Sequence, residues 1–547
     1  MEQETIFYRE AEEWLDRWME MRPVTATRLG NHRWDSRLGD SSAGGLALQH
    51  QHVLHGLVGF QDMDTSGFAA DAQLDHTLMI QILKMLIRDF ETVRSHQRNP
   101  GNYLGEALGG VFQLLIRDFA PLPQRLRSAL GRMQDVPRVL QEGQQNIIVA
   151  EVPRVWVETA LSQARQAAGL FLELIPGLAA EAAPELQQEA IAAGQGAADA
   201  IQAYAGFLEK EVLPQAEGDF AAGRQLFDEI LREDHMVEYD ADQLLATGWQ
   251  QLRLTWAQME AVASEIDPER SVQEILEEAK ADHPTPDDLL DAYRREMATI
   301  RQYVIDQDIA GIPEGESLRI VETPVYLRPI LPFAAYMSPG MFEETQEGIF
   351  IVTPVDPGAS AEEREEKLKG HHWAKIPVVA LHEAYPGHHL QLIWANRQET
   401  VPRRMGSWIA TLFKEGWAFY CEELLEQMGY IAEPIQRLGR LAGQLWRAAR
   451  IIVDASLHTK GMTVEEAVDF MVKEAHLEPS NALAEVRRYT QTPTQPQSYL
   501  MGKLIIVELV EDYRRAHPEA SLREVHDAIL GSGSLPPRLM RKRLLGS

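Results

Sequence analysis

The sequence predicts a mainly α fold, a large multi-helix, two-lobed protein with one small β-sheet around residues 317–356. Three observations predict it. Apolar residues recur at three- and four-residue spacing through most of the chain, among abundant Ala, Leu, Gln, Glu and Arg. One stretch breaks that pattern: SLRIVETPVYL and GIFIVTPV are β-branched and alternating. Finally, 547 residues exceed one compact core of ordinary size.

In chain order, residues 5–22 read as an amphipathic helix that stops before Pro23. Residues 74–95, 121–150 and 152–174 show the same pattern, with Pro153 suited to a helix start. Further helices are predicted over 183–213, 239–265, 270–280 and 286–308. The pentad Leu-Ile-Arg-Asp-Phe occurs at 86–90 and 115–119, too few copies for a solenoid. The two strands follow, with Pro339-Gly340 between them, and then a charged segment, ASAEEREEKLKG (359–370), that reads as a solvated loop. Helical pattern resumes over 373–398, 405–428, 433–459, 463–474, 481–490 and 498–516. The expected division is an N-terminal helical half, 1–308, and a C-terminal half, 309–547. No flexible Gly/Ser linker separates them, so a single packed unit is expected.

Composition narrows the function classes. With 45% apolar and 24% charged residues, the chain is ordinary globular material. A net charge of −30 argues against a nucleic-acid or anionic-membrane partner, since both need a basic face. The lone Cys421 excludes an intramolecular disulfide and a thiolate zinc cluster within the chain. The start, MEQETIFYREAEEW, lacks a basic-then-apolar leader, and no run of about 20 residues is apolar enough to span a bilayer. A cytoplasmic location is the expectation.

The chemistry is concentrated in IPVVALHEAYPGHHLQ, 376–391. An apolar run precedes His382-Glu383 as in a buried helix, and two more histidines follow within seven residues. Buried ionisable groups are costly unless paired, hydrogen-bonded or metal-bound. A zinc hydrolase accounts for such a cluster: neutral imidazoles hold Zn²⁺, the metal lowers its water's pKa towards 7, and the adjacent Glu383 takes the proton.

The spacing departs from the usual H-E-x-x-H. On a regular helix His388, six residues on, would point about 120° away from His382. His389 would share the face but sit roughly 10 Å along the axis. Pro386 and Gly387 lie between them; Pro cannot donate to the His382 carbonyl, and Gly tolerates a kink. If two residues bulge out there, His388 arrives where an i+4 ligand would stand. His388 is therefore the expected second ligand and His389 the alternative. A catalytic site needs a third protein ligand. Glu415, in FKEGWAFYCEE (413–423), follows His388 by 27 residues, far enough for its helix to pack antiparallel across the first.

HEAYPGHHLQ followed by EGWAFYCE resembles the bacterial family numbered 885 among the domains of unknown function. PVTATRLGNHRWDSRL, TPVYLRPILPFAAYMSP, WRAARIIVDASLH and RRYTQTPTQPQSYLMGK also resemble it, so the likeness covers nearly the whole chain. The family is distantly similar to zinc peptidases with two His and one Glu ligand, the angiotensin-converting and thimet-oligopeptidase types. The resemblance implies a helical peptidase-like fold with a zinc cleft and a peptide or other small amide as substrate. His382, His388 and Glu415 would be ligands and Glu383 the general base.

Supporting residues each have two readings. Tyr499, after a Pro-broken loop (493–496), could donate to an oxyanion from a cleft rim, or be a half-buried Tyr with a wet hydroxyl. His458, one turn after Asp454, could be a second donor or a satisfied structural pair. Arg450, four residues before Asp454, suits an ion pair with it. Arg487 and Arg488 could meet a substrate carboxylate or form surface salt bridges. Glu422, one heptad beyond Glu415, could hydrogen-bond a ligand or be solvated, and Gln391 is open in the same way. His371 and His372 are expected in solvent, and Cys421 as a small hydrophobe. GIFIVTPV could bind an extended substrate at a sheet edge, with Tyr336 in the same cleft, or be a structural hairpin. Two other functions stay open: a helical binding protein with a closed structural metal site, His389 supplying the fourth ligand, and a metallohydrolase of ester or non-peptide amide bonds.

Overall fold

The computed structural model describes residues 2–323, 328 and 333–546. The chain forms two compact units, 1–220 with 340–344, and 221–339 with 345–547. The division expected at 308 falls inside the second unit. The physical reason is that the helix Ala241–Ile266 packs along Pro434–Thr459. The approach is close: a Cβ on Gly248 would stand 2.9 Å from the side chains of Ile451 and Ile452.

The first unit is helical. Leu122–Asn146 packs against both Gly101–Ile116 and Gln187–Phe207. Arg132 at its centre is fully buried, and donates to the carbonyls of Arg37 and Gly110 and to Thr27 Oγ1. A buried guanidinium is tolerated when its donors are met in this way. The helices Ala43–Gln61 and Gly101–Ile116 were not anticipated. Both copies of the repeated pentad fall at helix ends, and Phe90 and Phe119 each stack on a histidine ring.

The second unit holds a three-stranded sheet of order β1-β3-β2, made of β1 (Ser317–Glu322), β2 (Ala334–Met337) and β3 (Glu347–Val352). β1 runs parallel to β3, with Ser317 opposite Glu347; β2 is antiparallel to it, with Tyr336 opposite Phe350. The sheet bears out the predicted switch of pattern, but β1 and β3 are not a hairpin, and β2 was not foreseen. β1 ends at Glu322, and 324–327 of the stretch expected as strand lie outside the described residues. The segment read as a solvated loop contains the helix Ala361–Lys369. Only its Leu368 is buried, so it shows no apolar stripe; a reciprocal Ser360/Glu363 capping box starts it instead.

The predicted helix over 373–398 is two, Ile376–Glu383 and His388–Asn396. Thr411–Gln427, Pro434–Thr459, Val464–Ala475, Pro479–Tyr489 and Ser498–Ala516 follow close to expectation. Leu522–Leu530 and Pro537–Leu545 are additional. Thr411–Gln427 and Ser498–Ala516 touch backbone to backbone: a Cβ on Gly416 would lie 2.3 Å from the Gly502 carbonyl carbon. Among the described residues, no helix is long and apolar enough to cross a membrane.

Candidate metal centre

His382 and Glu383 close the helix Ile376–Glu383, which has Pro377 in its first turn. The chain then loops out and restarts. Gly387 N–H donates to Leu381 O at 3.1 Å and Leu390 N–H to Ala384 O at 3.3 Å, each spanning six residues, before Gln391 N–H to Gly387 O restores the four-residue repeat. Two residues are thus extruded, and His388 comes back over His382. Their rings are 4.8 Å apart and perpendicular. The buried Trp417 pins the loop by donating Nε1–H to Pro386 O at 2.8 Å. Trp417 is two residues beyond Glu415, so the same helix that carries the glutamate holds the loop in place.

His388 Nε2 lies 3.4 Å from Glu415 Oε2. One ligand atom each from His382, His388 and Glu415 falls within 4.8 Å of the others, a spacing that can hold one metal ion. The His382 ring is oriented from behind: its Nδ1 lies 2.8 Å from Oε1 of the buried Glu422. A carboxylate there favours the proton on Nδ1 and leaves Nε2 free to coordinate a metal. Two imidazole nitrogens and a carboxylate oxygen, with one ring backed by a carboxylate, fit the donor set of a catalytic zinc site.

The local charges are coupled. Burial would raise Glu415, but its hydrogen bond to His388 and the charges of His388, His382 and Lys414 hold its carboxyl down at about 2. Burial would lower His388, and the bond to Glu415 with the Glu415 and Glu383 charges outweighs it and raises it. Burial likewise opposes ionisation of Glu422, which His382 and Arg447 overcome. A cavity of about 430 Å³ opens over the cluster, lined by His382, Glu383, His388, Glu415 and Tyr499 together with Tyr336, Lys414, Trp446, Arg447 and Arg450.

The sequence model described as "Bacterial protein of unknown function (DUF885)" matches residues 23–544. The chain belongs to this family. Two solved structures are similar to it. A "putative lipoprotein of unknown function" from Shewanella oneidensis has a TM-score of 0.79 at 24% identity, over 98% of each chain. A "putative lipoprotein" from Colwellia psychrerythraea has a TM-score of 0.82 at 17% identity, over 99% of this chain and 98% of the other. At these identities they show a shared fold. No curated protein matches the chain.

In this family member the sequence-predicted residues separate into those gathered at the cluster and those elsewhere. His382, Glu383, His388, Glu415 and Tyr499 line one cavity. His389 is turned away, with Nε2 2.8 Å from Glu316 Oε2 and Nδ1 3.0 Å from Tyr336 Oη. His458 is not brought to the cavity: it is buried with Nδ1 accepting from Ala222 N–H and Nε2 3.0 Å from Tyr489 O. It does share a helix face with Asp454, at 3.9 Å. Arg450 does not pair with Asp454; it donates to Glu485 and Tyr489 and lies on the cavity wall. Arg488 is tied to Glu485 and Gln495. His371 is buried rather than solvated, because it accepts from or donates to Tyr293 Oη at 3.0 Å beneath the sheet residue Phe350. Gln391 is buried and donates to Ser534. Cys421 is buried, as expected.

β3, the strand read as a substrate edge, is central in the sheet with both sides paired. Tyr336, which lines the cavity, lies on β2 instead.

Sequence reasoning missed the group behind Tyr336. Glu316 is buried and accepts from Tyr385 Oη at 2.6 Å, from Arg301 and from His389. Burial opposes its charge, but these donors hold it down at about 2. No motif links Glu316 to a histidine 73 residues later; only the fold brings them together.

Proposed function

We propose that this protein is a zinc-dependent hydrolase that cleaves peptide bonds, with His382, His388 and Glu415 as the metal ligands. One observation carries it. The two histidines and the glutamate converge while Glu383, beside His382, lines the same cavity without belonging to the ligand set. A binding or structural site gives that carboxylate no task. Its likeness in motif to the zinc peptidases with two His and one Glu ligand supports the same reading.

Bound there, Zn²⁺ would supply Lewis acidity and a lowered water pKa. Glu383 accepts a proton from water as the water oxygen bonds to the carbonyl carbon. It then passes the proton to the leaving nitrogen as the C–N bond breaks. Tyr499 donates to the oxygen that gains charge. Tyr336, held against His389 Nδ1, lines the cavity where His458 does not. A closed structural site would need a fourth protein ligand. His389 has both nitrogens engaged, and among the described residues the cluster holds three.

A mixed peptide library read by mass spectrometry tests this, before chelation, after chelation and after return of one equivalent of Zn²⁺. Cleavage that disappears and returns is the expected result. Cleavage indifferent to the metal, or none with metal bound, overturns peptide hydrolysis; esters and other amides, assayed in parallel, identify hydrolysis of another bond.

A further inference from the structure

Arg447 is on the wall of the metal-centre cavity. Its Nη1 donates to the Gly443 carbonyl at 3.2 Å, one turn back on its own helix. Its Nε is buried with no acceptor; its charge favours ionised Glu422 at longer range, but Glu422 Oε1 is held by His382 and Oε2 takes no hydrogen bond from the guanidinium. The neighbouring Trp446 Nε1 is a second buried donor without an acceptor, on the same wall. Aromatic rings hold the group in place, with its central carbon 5.1 Å from the Phe419 ring, 5.4 Å from Trp446 and 5.7 Å from Tyr499.

Arg450, one turn on, provides the contrast. It faces the same cavity but is neutralised by Glu485 and bonded to Tyr489. A positioned guanidinium with spare donors normally has a carboxylate or phosphate partner, because leaving those donors unmet in a partly desolvated place is unfavourable. Lys414 adds positive charge to the cavity. This is notable in a chain of net charge −30, where acidic side chains are the commonest available partners.

We propose that Arg447 anchors a carboxylate of the substrate, and that the enzyme therefore releases the carboxy-terminal end of peptides. This rests on the hydrolase reading for the reaction, but not for the anchor itself. The cavity, about 430 Å³, is in the range of small-ligand sites rather than of long grooves. A free terminal carboxylate pairs with Arg447, with Lys414 close by, while the scissile carbonyl carbon faces the water that Glu383 deprotonates. Tyr499 and Trp446 give the last side chain an aromatic wall.

Two measurements test it. The first is calorimetric binding of benzoylglycine and of its uncharged amide to zinc-loaded protein. The acid is expected to bind at least about tenfold more tightly, with the preference lost in Arg447→Gln and partly restored in Arg447→Lys. The second compares hydrolysis of peptides with free and amidated carboxy termini, where Arg447→Gln should raise KM for the free acid about tenfold more than for the amide. Equal binding of acid and amide by the parent protein, or equal loss of both in Arg447→Gln, overturns the anchor. Acid-selective binding without any peptide cleavage would keep the anchor and remove the hydrolase reading. Cleavage without acid selectivity would do the reverse. Thermal melting of both variants shows whether they are folded.

Discussion

Replacing Gly387 with alanine would strike the metal centre through the backbone alone. A Cβ at that position would lie 2.0 Å from the His382 carbonyl oxygen and 2.4 Å from that of Leu381. Real Cβ contacts stay beyond 3.0 Å, so the main chain has to open by about 1 Å. Both obstacles are carbonyls, and no side-chain rotation can make room. One carbonyl belongs to His382, and the residue after Gly387 is His388, so both proposed imidazole ligands sit on the segment that must move. Metal sites tolerate ligand displacements of about 0.2 Å. A shift several times larger should effectively remove one ligand and weaken zinc binding by at least about 100-fold, near 3 kcal/mol. Overpacking should also cost about 1–3 kcal/mol of stability. Zinc affinity is measured by competition with a chromophoric chelator, and stability by circular-dichroism melting. Gly196→Ala, on a helix with open space where its Cβ would go, is the control and should leave both unchanged or slightly raise stability. Zinc affinity in Gly387→Ala equal to the parent's would refute the two-residue bulge as the device that sets His388 over His382.

Three further outcomes follow from the same geometry. Glu422→Gln removes the charge behind His382 Nδ1 and should weaken zinc binding by about 10–100-fold, measured by the same competition. His458→Gln should lower the melting temperature, corresponding to about 1–3 kcal/mol for a buried polar group, and leave turnover unchanged, since His458 bridges main-chain groups away from the cavity. A drop in turnover with stability intact would return His458 to the site. Burial, aided for His371 by Lys375 and Lys367, holds His371 and His526 at about 4 against 6.5 when unfolded. Between those values the unfolded chain binds the extra proton, so stability falls as pH falls below 6.5, by about 2 kcal/mol per group at pH 5. Melting from pH 7 to 5 should show this, with a shallower slope in His526→Gln; an unchanged slope would contradict it.

Much of the site was legible because its chemistry is local in sequence. A His-Glu pair, a Pro-Gly break and a second histidine six residues on imply a bulge, and the six-residue hydrogen bonds at Gly387 and Leu390 are that bulge. Glu415 was readable from an apolar helix at a suitable distance. What escaped was non-local. Glu316 and Arg301 meet the motif residues Tyr385 and His389 only through the fold, with Glu316 bonded to all three. His371 seemed exposed because its neighbours are charged, yet Tyr293 and the sheet cover it. Arg447 lies in the family-like stretch WRAARIIVDASLH, but its unmet donor is visible only in three dimensions.

The helices show the same division. Periodic, amphipathic segments such as Pro434–Thr459 were found nearly to the residue. Gly101–Ile116 was hidden by four glycines, a poor helix composition that packing overrides: a Cβ on Gly110 would crowd Leu38 and Val24. Ala361–Lys369 and Leu522–Leu530 carried a readable signal that periodicity ignores, a serine followed three residues later by glutamate. The domain division was misplaced because residues 241–306 look like the preceding helices in sequence, while their apolar faces pack on the C-terminal ones.

The most direct test of a hydrolytic centre is the rate of peptide cleavage by Glu383→Gln at the same measured zinc content as the parent protein. The substitution keeps the size of the side chain and removes only its ability to carry a proton. A loss of turnover of at least about 100-fold with zinc retained is the expected result. Equal rates at equal zinc would contradict Glu383 as the base and, with it, the assignment of this cluster as a hydrolytic site.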